Sequence, residues 1–419
     1  SKRNSYKICL SNIYIYRKGL TMPGTTFKRE KKTDKPVIAL CYDFDKTLSP
    51  DDMQAQGYIQ TVQPEGSDVI GDFWRESNNR AAANNMDKNL AYMYTMKKKA
   101  RGQIVFTKEK LADYGSKVAL FRGVKDWFKR IRDYGAEKGI IIEHYIISSG
   151  LKEMIEGTSI AKEFKELYAT SFYFDEDGVA VWPAQVVNYT NKTQFLFRIS
   201  KGVLDVNDDA VNDSFAPDEI RVPFRNMVYL GDSDTDIPCM KLVNSQGGYS
   251  VGVFNPDEKD ELKAKNKVYK MMRDNRISYF APADYSEGSE LDELVKLIID
   301  KTVYNEKLYE KKYNNQKEAI EQAKPKEEQE KLDLINSLES SGSFKNTHAI
   351  VEKLSKYTSW KYEELEDLLE IALENTQVWH ILNDPDIKKF YQYLIEQLGS
   401  NIDELIRDKV ENIQQKFES

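Results

Sequence analysis

The sequence contains few cysteines, no excess of positive charge and no long apolar run. Three cysteines in 419 residues form an odd and sparse set, which predicts a reducing compartment and no disulfide framework. The formal net charge of −7 argues against a protein dominated by electrostatic binding to nucleic acid or to a membrane surface. No stretch approaches the ~18 consecutive apolar residues that a membrane helix needs. We therefore expect a soluble cytoplasmic protein, without nucleic acid or a membrane among its partners.

Residues 1–33 lack the features of a secretory signal. The opening segment SKRNSYKICLSNIYIYRKGLT is basic and rich in tyrosine, but it has neither a continuous apolar core nor a cleavage site. The sequence begins with Ser1, and Met22 is an alternative natural start. We interpret residues 1–33 as an N-terminal extension, either added to the protein or disordered, and leave it out of the fold prediction.

The most informative segment of the chain is the run VIALCYDFDKTLS, at residues 37–49. An apolar stretch leads directly into Asp43, and Asp45 and Thr47 follow at alternate positions. Because residues two apart in an extended chain point to the same side, these polar groups lie together. Paired carboxylates repel each other unless a cation or a shared proton lies between them. The segment therefore indicates a site that holds either a cation or a shared proton.

Three further segments place polar side chains after apolar runs or at a helix start. HYIISSG contributes Ser148, NYTNKTQF contributes Lys192, and MVYLGDSDTDI contributes Asp232 and Asp236. Apolar runs that alternate with helical segments are typical of parallel strands covered on both faces, which predicts an α/β fold. Cys41 and Cys239 lie beside these segments, and we expect them to pack as small buried residues rather than to do redox chemistry.

Each of these segments has an ordinary explanation when it is taken alone. An Asp after a strand is usually a turn residue or a helix cap, a Ser-Ser-Gly is usually a turn, and a single Lys is usually on the surface. The segment GDSDTD, residues 231–236, resembles a weak calcium loop, but it lacks the glutamate at the twelfth position and follows a strand. The occurrence of all four segments together favours one functional site.

The four segments, in this order, resemble the motifs of the haloacid dehalogenase (HAD) superfamily over residues 36–300. The resemblance implies a Rossmann-like, doubly wound parallel sheet with an inserted helical cap, as in members that resemble phosphoserine phosphatase. It places the core at residues 34–48 and 121–301 and the cap at residues 49–120. Helices are predicted within this cap at 73–84, 89–99 and 108–114, where good helix formers are frequent.

The resemblance also implies roles for the acids. Asp43 is the expected nucleophile and forms an aspartyl-phosphate, and Asp45 is the expected general acid and base. The expected cofactor is Mg²⁺, held by a carboxylate oxygen of Asp43, the backbone carbonyl of Asp45, and Asp232. Asp236 binds the ion directly or orients a water on it.

The remaining motif residues are expected to bind the phosphoryl group. Ser148 donates a hydrogen bond to the phosphoryl oxygens, and Lys192 supplies a positive charge. Thr47 belongs to the same set and orients the first loop.

The second acid separates the reaction classes of the superfamily. Members that displace halide lack an equivalent of Asp45, and ion-pumping ATPases share the Lys46-Thr47 pair but need membrane helices. The resemblance therefore implies a Mg²⁺-dependent phosphatase acting on a small soluble phosphomonoester, with phosphoserine as one candidate. A catalytically inactive scaffold is disfavoured, because no motif position is missing.

The C-terminal third of the chain has a different composition. Residues 302–343 are rich in Glu, Lys, Gln and Asn and predict a charged helical linker interrupted at Pro325. Residues 344–419 predict a separate all-α module, in which Asp384 begins one helix and Asn401 with Glu404 caps another. We find no catalytic group there. The module predicts a protein partner or self-association, and the alternative function is recruitment of the phosphatase to a macromolecular phosphate, on a protein or a nucleic-acid end.

Overall fold

A computed structural model describes residues 27–63, 65–258, 261–399, 402 and 404–418. Within the chain, a first compact unit ends at Lys307 and a second begins at Leu308. The interpretations of Cys9, of Met22 and of the cap at Asn401 lie outside the described residues. Among the described helices, none is long and apolar enough to cross a membrane.

The first unit is built on one seven-stranded sheet, which confirms the α/β fold class. Its strands are β1 (Val37–Tyr42), β2 (Ile141–Leu151), β3 (Glu166–Phe174), β4 (Ala180–Gln185), β5 (Met227–Gly231), β6 (Tyr249–Phe254) and β7 (Tyr279–Pro282). They lie in the order β4-β3-β2-β1-β5-β6-β7, and only β4 is antiparallel to its neighbour.

Strand β1 is fully buried because apolar layers cover both of its faces. Ile38, Leu40 and Tyr42 belong to the core on one face, and Val37 and Ala39 belong to the core on the other. The chain adds β2, β3 and β4 on one side of β1 and then crosses back to add β5, β6 and β7 on its other side. Such a reversal opens a crevice at the carboxyl ends of the strands, where ligands bind in α/β sheets.

The two described cysteines pack in an apolar layer of the core rather than at the surface. Cys41 and Cys239 are both buried and belong to the same core cluster. Burial raises the pKa of the Cys239 thiol to about 12, so the reactive thiolate is disfavoured at neutral pH. This supports the packing role expected from the sequence.

Along the chain, the helices of the first unit occupy the segments between successive strands. They are α1 (Tyr58–Val62), α2 (Val69–Ala83), α3 (Lys88–Ala100), α4 (Lys108–Ser116), α5 (Val124–Glu137), α6 (Lys152–Gly157), α7 (Thr193–Lys201), α8 (Ile237–Ser245) and α9 (Glu261–Arg273). Helices α1 to α4 form an insert between β1 and β2, and the sequence predicted α2, α3 and α4 within a few residues of their observed ends. The helices α1, α6, α8 and α9 were not predicted.

Close backbone contact joins the insert to the core. A Cβ atom on Gly115 of α4 would lie 1.9 Å from the Met154 carbonyl oxygen, and one on Gly157 of α6 would lie 2.0 Å from the Ala112 carbonyl oxygen. Only glycine therefore fits at these two positions, and α4 and α6 contact each other through their backbones.

The long helix α10 (Glu290–Glu339) follows β7. Its backbone is helical through position 325, so the interruption predicted at Pro325 is wrong. Val303 is buried in the core of the first unit, whereas Ile335 and Leu338 are buried in the core of the second. The segment predicted as a linker thus contributes to a core.

The second unit is all-α, as predicted, with its own apolar core. Its further helices are α11 (Phe344–Leu354), α12 (Tyr362–Glu374), α13 (Thr376–His380), α14 (Pro385–Gln397) and α15 (Glu404–Glu418). Helix α14 begins after Asp384, as the sequence indicates, but the Asp384 carboxylate makes no capping hydrogen bond. It contacts His348 Nε2 at 3.1 Å instead.

A buried ion pair joins β2 to the segment before β5. The Arg221 guanidinium donates two hydrogen bonds to the Glu143 carboxylate, at 2.7 and 2.6 Å, and Tyr145 and Lys165 also donate to it. Burial alone would raise the pKa of Glu143, but these donors outweigh it and lower the pKa to about 2. The stabilisation is therefore present above the ordinary glutamate pKa and is lost as the pH falls toward 2.

We predict that Glu143→Gln lowers the free energy of unfolding by about 3 kcal/mol at pH 7, because it removes the carboxylate that accepts two hydrogen bonds from the buried Arg221 and leaves only Glu30, at 3.0 Å, as a carboxylate partner. Urea unfolding of the full chain measures this loss, which should shrink as the pH is lowered from 5 toward 2. The matched control is Asp133→Asn, which breaks an exposed pair with Lys129 and should cost less than about 1 kcal/mol. Equal losses in both variants would contradict the prediction.

Candidate active site

Asp43 stands at the carboxyl end of β1, in the crevice where the strand order reverses. Its backbone N–H donates to the Leu230 carbonyl of β5 at 3.0 Å, which continues the ladder beyond the strand. The Phe44 N–H donates to Asp43 Oδ1 at 2.8 Å and fixes the carboxylate. The chain then turns, because the Phe44 carbonyl accepts the Leu48 N–H at 2.9 Å and Lys46 adopts a left-handed φ of 59°.

Three of the four predicted aspartates meet at this edge of the sheet. Oxygens of Asp43, Asp232 and Asp236 all lie within 4.8 Å of one another. Asp232 follows β5 directly. The hydroxyl of Tyr229, a residue of β5, donates to Asp236 Oδ1 at 2.9 Å. A Cβ atom on Gly231 would lie 2.6 Å from the Asp236 carboxyl carbon, so glycine is required there. The acidic cluster is therefore built from the ends of β1 and β5.

Lys192 neutralises part of this charge. Its Nζ lies 2.7 Å from Asp236 Oδ1 and 3.4 Å from Asp43 Oδ1, and the side chain is fully buried. The residue stands at the N-cap of α7. Burial alone would lower the pKa of the Lys192 ammonium, but the carboxylates of Asp236 and Asp43 raise it above its usual range. Lys192 is therefore charged, and the cluster still carries more negative than positive groups.

The remaining negative charge is held at a cost. Burial raises the pKa of Asp43 to about 6, although the Lys192 ammonium partly offsets it. Burial also raises the pKa of Asp232 to about 7, against the attraction of Lys267, whose Nζ lies 3.5 Å away. These carboxyl groups therefore take up protons near neutral pH unless a metal cation binds in place of the protons.

The donor set fits a hard divalent cation. The cluster consists of carboxylate oxygens, which Mg²⁺ and Ca²⁺ prefer, and it contains no nitrogen or sulfur ligand. Both oxygens of Asp236 already accept hydrogen bonds: Oδ1 from Lys192 and Oδ2 from the Ser233 N–H at 3.2 Å. Asp43 and Asp232 are therefore the better direct ligands, and Asp236 suits a role in orienting.

Asp45 lies apart from the metal cluster. Its Oδ1 accepts the Met53 N–H at 2.8 Å, and its Oδ2 faces Gly150, where a Cβ atom would lie 3.1 Å away. Burial, together with the carboxylates of Asp52 and Asp43, raises the pKa of Asp45 well above its usual range. This environment favours a protonated carboxyl group, as a general acid requires.

Ser148 and Thr47 are both buried at the same edge. Ser148, in β2, accepts the Gly150 N–H at 3.1 Å. A hydrogen bond from Ser148 partly offsets the effect of burial, which raises the pKa of Asp43. The Thr47 hydroxyl has no hydrogen-bond partner among the described residues, while its backbone carbonyl accepts the Tyr285 hydroxyl at 2.7 Å. The structure thus brings Ser148 to the cluster and ties Thr47 to the first loop.

Sequence reasoning missed two residues that touch the cluster. Tyr229 lies within the apolar run before Asp232, where it looked like a core residue. Its spacing of two from Gly231 is the signal that places both on one side of β5. Lys267 lies on α9, which was not predicted, so no signal connected it with Asp232.

We predict that Lys192→Met lowers the free energy of unfolding by about 3–5 kcal/mol at pH 8, because it leaves buried carboxylates without their ammonium. The folded-state pKa of Asp43 then rises further, so the deficit should shrink as the pH falls through it and this acid becomes neutral. Urea unfolding at pH 8 and pH 5 checks this. The control is Lys267→Met, whose half-exposed side chain should cost less than about 1 kcal/mol. A deficit that is independent of pH would contradict the prediction.

The chain was compared with protein families and with curated proteins. No family model matches it. It is similar to an uncharacterised protein of Borreliella burgdorferi, with 26% identity over 281 residues that cover 61% of this chain and 94% of that protein. This relative assigns no activity.

Solved structures are also similar to the chain. Phosphoserine phosphatase in apo form matches at 13% identity over 62% of this chain and 98% of that chain, with a TM-score of 0.36. A probable phosphoserine phosphatase from Vibrio cholerae matches at 14% over 65% and 67%, with a TM-score of 0.40. A HAD family hydrolase from Salmonella enterica serovar Typhi matches at 15% over 64% and 74%, with a TM-score of 0.38. At these values the likenesses transfer neither an activity nor a substrate.

The chain's own geometry carries the fold assignment. The order of its parallel strands reverses beside β1, and Asp43, Ser148, Lys192 and Asp232 lie at one edge of the sheet. This is the doubly wound α/β core that the sequence predicted.

Proposed function

We propose that the protein is a Mg²⁺-dependent phosphatase that hydrolyses a small soluble phosphomonoester through an aspartyl-phosphate on Asp43. The observation that carries the proposal is the buried cluster of Asp43, Asp232 and Asp236 around Lys192. A cluster with excess negative charge binds a dianionic phosphate only together with a cation. The adjacent proton donor, Asp45, supplies the other group that the reaction needs.

The metal would be held by the carboxylates of Asp43 and Asp232 and by the backbone carbonyl of Asp45. Asp236 would orient a metal-bound water, because its oxygens are occupied by Lys192, Tyr229 and Ser233. When bound, Mg²⁺ neutralises the carboxylates and polarises a phosphoryl oxygen.

The proposed reaction has two steps. In the first, a carboxylate oxygen of Asp43 forms a bond to phosphorus while the bond from phosphorus to the leaving oxygen breaks, and Asp45 gives its proton to that oxygen. In the second, Asp45 takes a proton from water, the water oxygen attacks phosphorus, and the bond to Asp43 breaks. Ser148 and Lys192 would stabilise the charge on the transferring phosphoryl oxygens, since both are buried beside Asp43.

A second candidate rests on the separate core of the helical unit from residue 308 onward. Residues 344–419 would then bind a protein partner or a second copy and direct the phosphatase to a macromolecular phosphate. Turnover of p-nitrophenyl phosphate and of a phosphoprotein by the full chain separates the two. Efficient turnover of the small ester alone supports the first candidate.

We predict that Asp43→Asn abolishes turnover of p-nitrophenyl phosphate, by at least about 1000-fold, because the neutral amide is a poor nucleophile. Its circular dichroism spectrum should match that of the wild type. Asp34→Asn, at an exposed position before β1, is the matched control and should retain full turnover. Undiminished activity of Asp43→Asn would refute the nucleophile assignment.

We predict that Mg²⁺ binding releases protons, since Asp43 and Asp232 have pKa values of about 6 and 7 in the cation-free site. Affinity should therefore rise as the pH increases from 5 to 8. Isothermal titration calorimetry in two buffers with different ionisation enthalpies measures the protons released. Asp232→Asn should weaken binding at least about 10-fold, and EDTA should remove activity that Mg²⁺ restores. Proton-neutral binding, or turnover without a metal, would contradict this account.

A further inference from the structure

The N-terminal half of α3 is hydrogen-bonded to the two core segments that carry Ser148 and Lys192. One segment is the carboxyl end of β2, which contains Ser148, and the other is the loop that leads from β4 to Lys192. Three side chains of the insert make these bonds: Tyr92 Oη donates to the Ser149 carbonyl at 2.8 Å, Asn89 Nδ2 donates to the Val187 carbonyl at 2.7 Å, and Asp87 Oδ2 accepts from Asn188 Nδ2 at 3.0 Å.

Asn188 organises the loop that ends at Lys192. Its carbonyl accepts the Lys192 N–H at 3.0 Å, and its side-chain oxygen accepts the Thr190 N–H at 2.9 Å. Its own N–H donates to the side chain of Asn191 at 2.8 Å. The position of Asn188 therefore sets where the backbone of Lys192 lies.

Asp87 connects this loop to the insert. Its Oδ1 caps α3 by accepting the N–H groups of Asn89 and Leu90, at 2.8 and 3.2 Å, while its Oδ2 holds Asn188. One carboxylate thus fixes both the start of the helix and the loop before Lys192.

Tyr92 connects the insert to the end of β2 that carries Ser148. Its side chain is buried, and its ring contacts Trp74 of α2 edge to face at a centroid distance of 6.0 Å. Its hydroxyl donates to the carbonyl of Ser149, the residue next to Ser148. Gly150, the next residue, donates its N–H to the Ser148 hydroxyl at 3.1 Å. The hydrogen bond from Tyr92 therefore restrains the segment that orients Ser148.

We infer that Asp87, Asn89 and Tyr92 are positioning residues for the phosphoryl-binding half of the site, an inference that rests on the proposed function. The two halves of the site are built differently. Asp43 and Asp232 lie at the ends of β1 and β5 in the core, whereas the end of β2 that carries Ser148 and the loop before Lys192 are hydrogen-bonded to the insert. Loss of an insert bond should weaken oxyanion binding and turnover and leave binding of the divalent cation in place.

The test uses the full chain with Tyr92→Phe, which keeps the ring on Trp74 and removes only the hydroxyl. Isothermal titration calorimetry measures the Kd of Mg²⁺ and then the Kd of tungstate, a phosphate mimic, at saturating Mg²⁺. The loss of one hydrogen bond should weaken tungstate about 3- to 10-fold and lower kcat/KM for p-nitrophenyl phosphate similarly. The Kd of Mg²⁺ should change less than about 2-fold.

Two further variants complete the test. Tyr94→Phe, at an exposed position on the same helix, is the matched control and should behave like the wild type. Asn89→Ala removes the bond to Val187 from a half-buried position and should repeat the effect of Tyr92→Phe, which keeps the test valid if that variant does not fold.

Different outcomes separate the inference from the proposed function. If the wild type binds tungstate and both Tyr92→Phe and Asn89→Ala bind it with the same affinity, the inference is overturned and the proposed function is not. Parallel loss of Mg²⁺ and tungstate affinity would also overturn it, since that marks a general structural defect. A wild-type chain that neither binds tungstate nor turns over the ester would refute the proposed function and the inference with it.

Discussion

The site depends on the repulsion among three carboxylates held in a buried crevice. Asp43, Asp232 and Asp236 lie within 4.8 Å of one another, and Lys192 is their one fully buried cationic partner among the described residues. Water cannot screen this charge well, because burial lowers the local dielectric constant. A divalent cation and an anionic phosphoryl group together complete the charge balance, so the site favours binding both ligands at once.

The sheet places these groups with little help from the loops. The strands β2 and β5 lie parallel to β1 on its two sides, so the carboxyl ends of all three strands meet at one edge of the sheet. A polar residue after each apolar run then reaches the same crevice. For this reason the sequence predicted most of the site. Asp43, Ser148 and Asp232 each follow or end a predicted strand, and Lys192 lies at a predicted helix start.

Sequence patterns failed where tertiary contacts decide the outcome. Nothing local in the Asp87 segment indicates that its carboxylate binds Asn188, about a hundred positions away in the chain. Lys267 approaches Asp232 only because α9 packs beside β6. Pro325 was expected to interrupt α10 on local grounds, yet the backbone remains helical through it. The Asp384 side chain was expected to cap α14, but its carboxylate contacts His348, a competing partner that periodicity cannot reveal.

The most direct test of the central claim is the thermodynamic coupling between Mg²⁺ and tungstate, measured by calorimetry with each ligand titrated in the absence and presence of the other. A shared crevice with excess negative charge predicts that Mg²⁺ strengthens tungstate binding at least about 10-fold and that tungstate strengthens Mg²⁺ binding by the same factor. Equal tungstate affinity with and without Mg²⁺ would show that the two ligands do not share the cluster and would contradict the account.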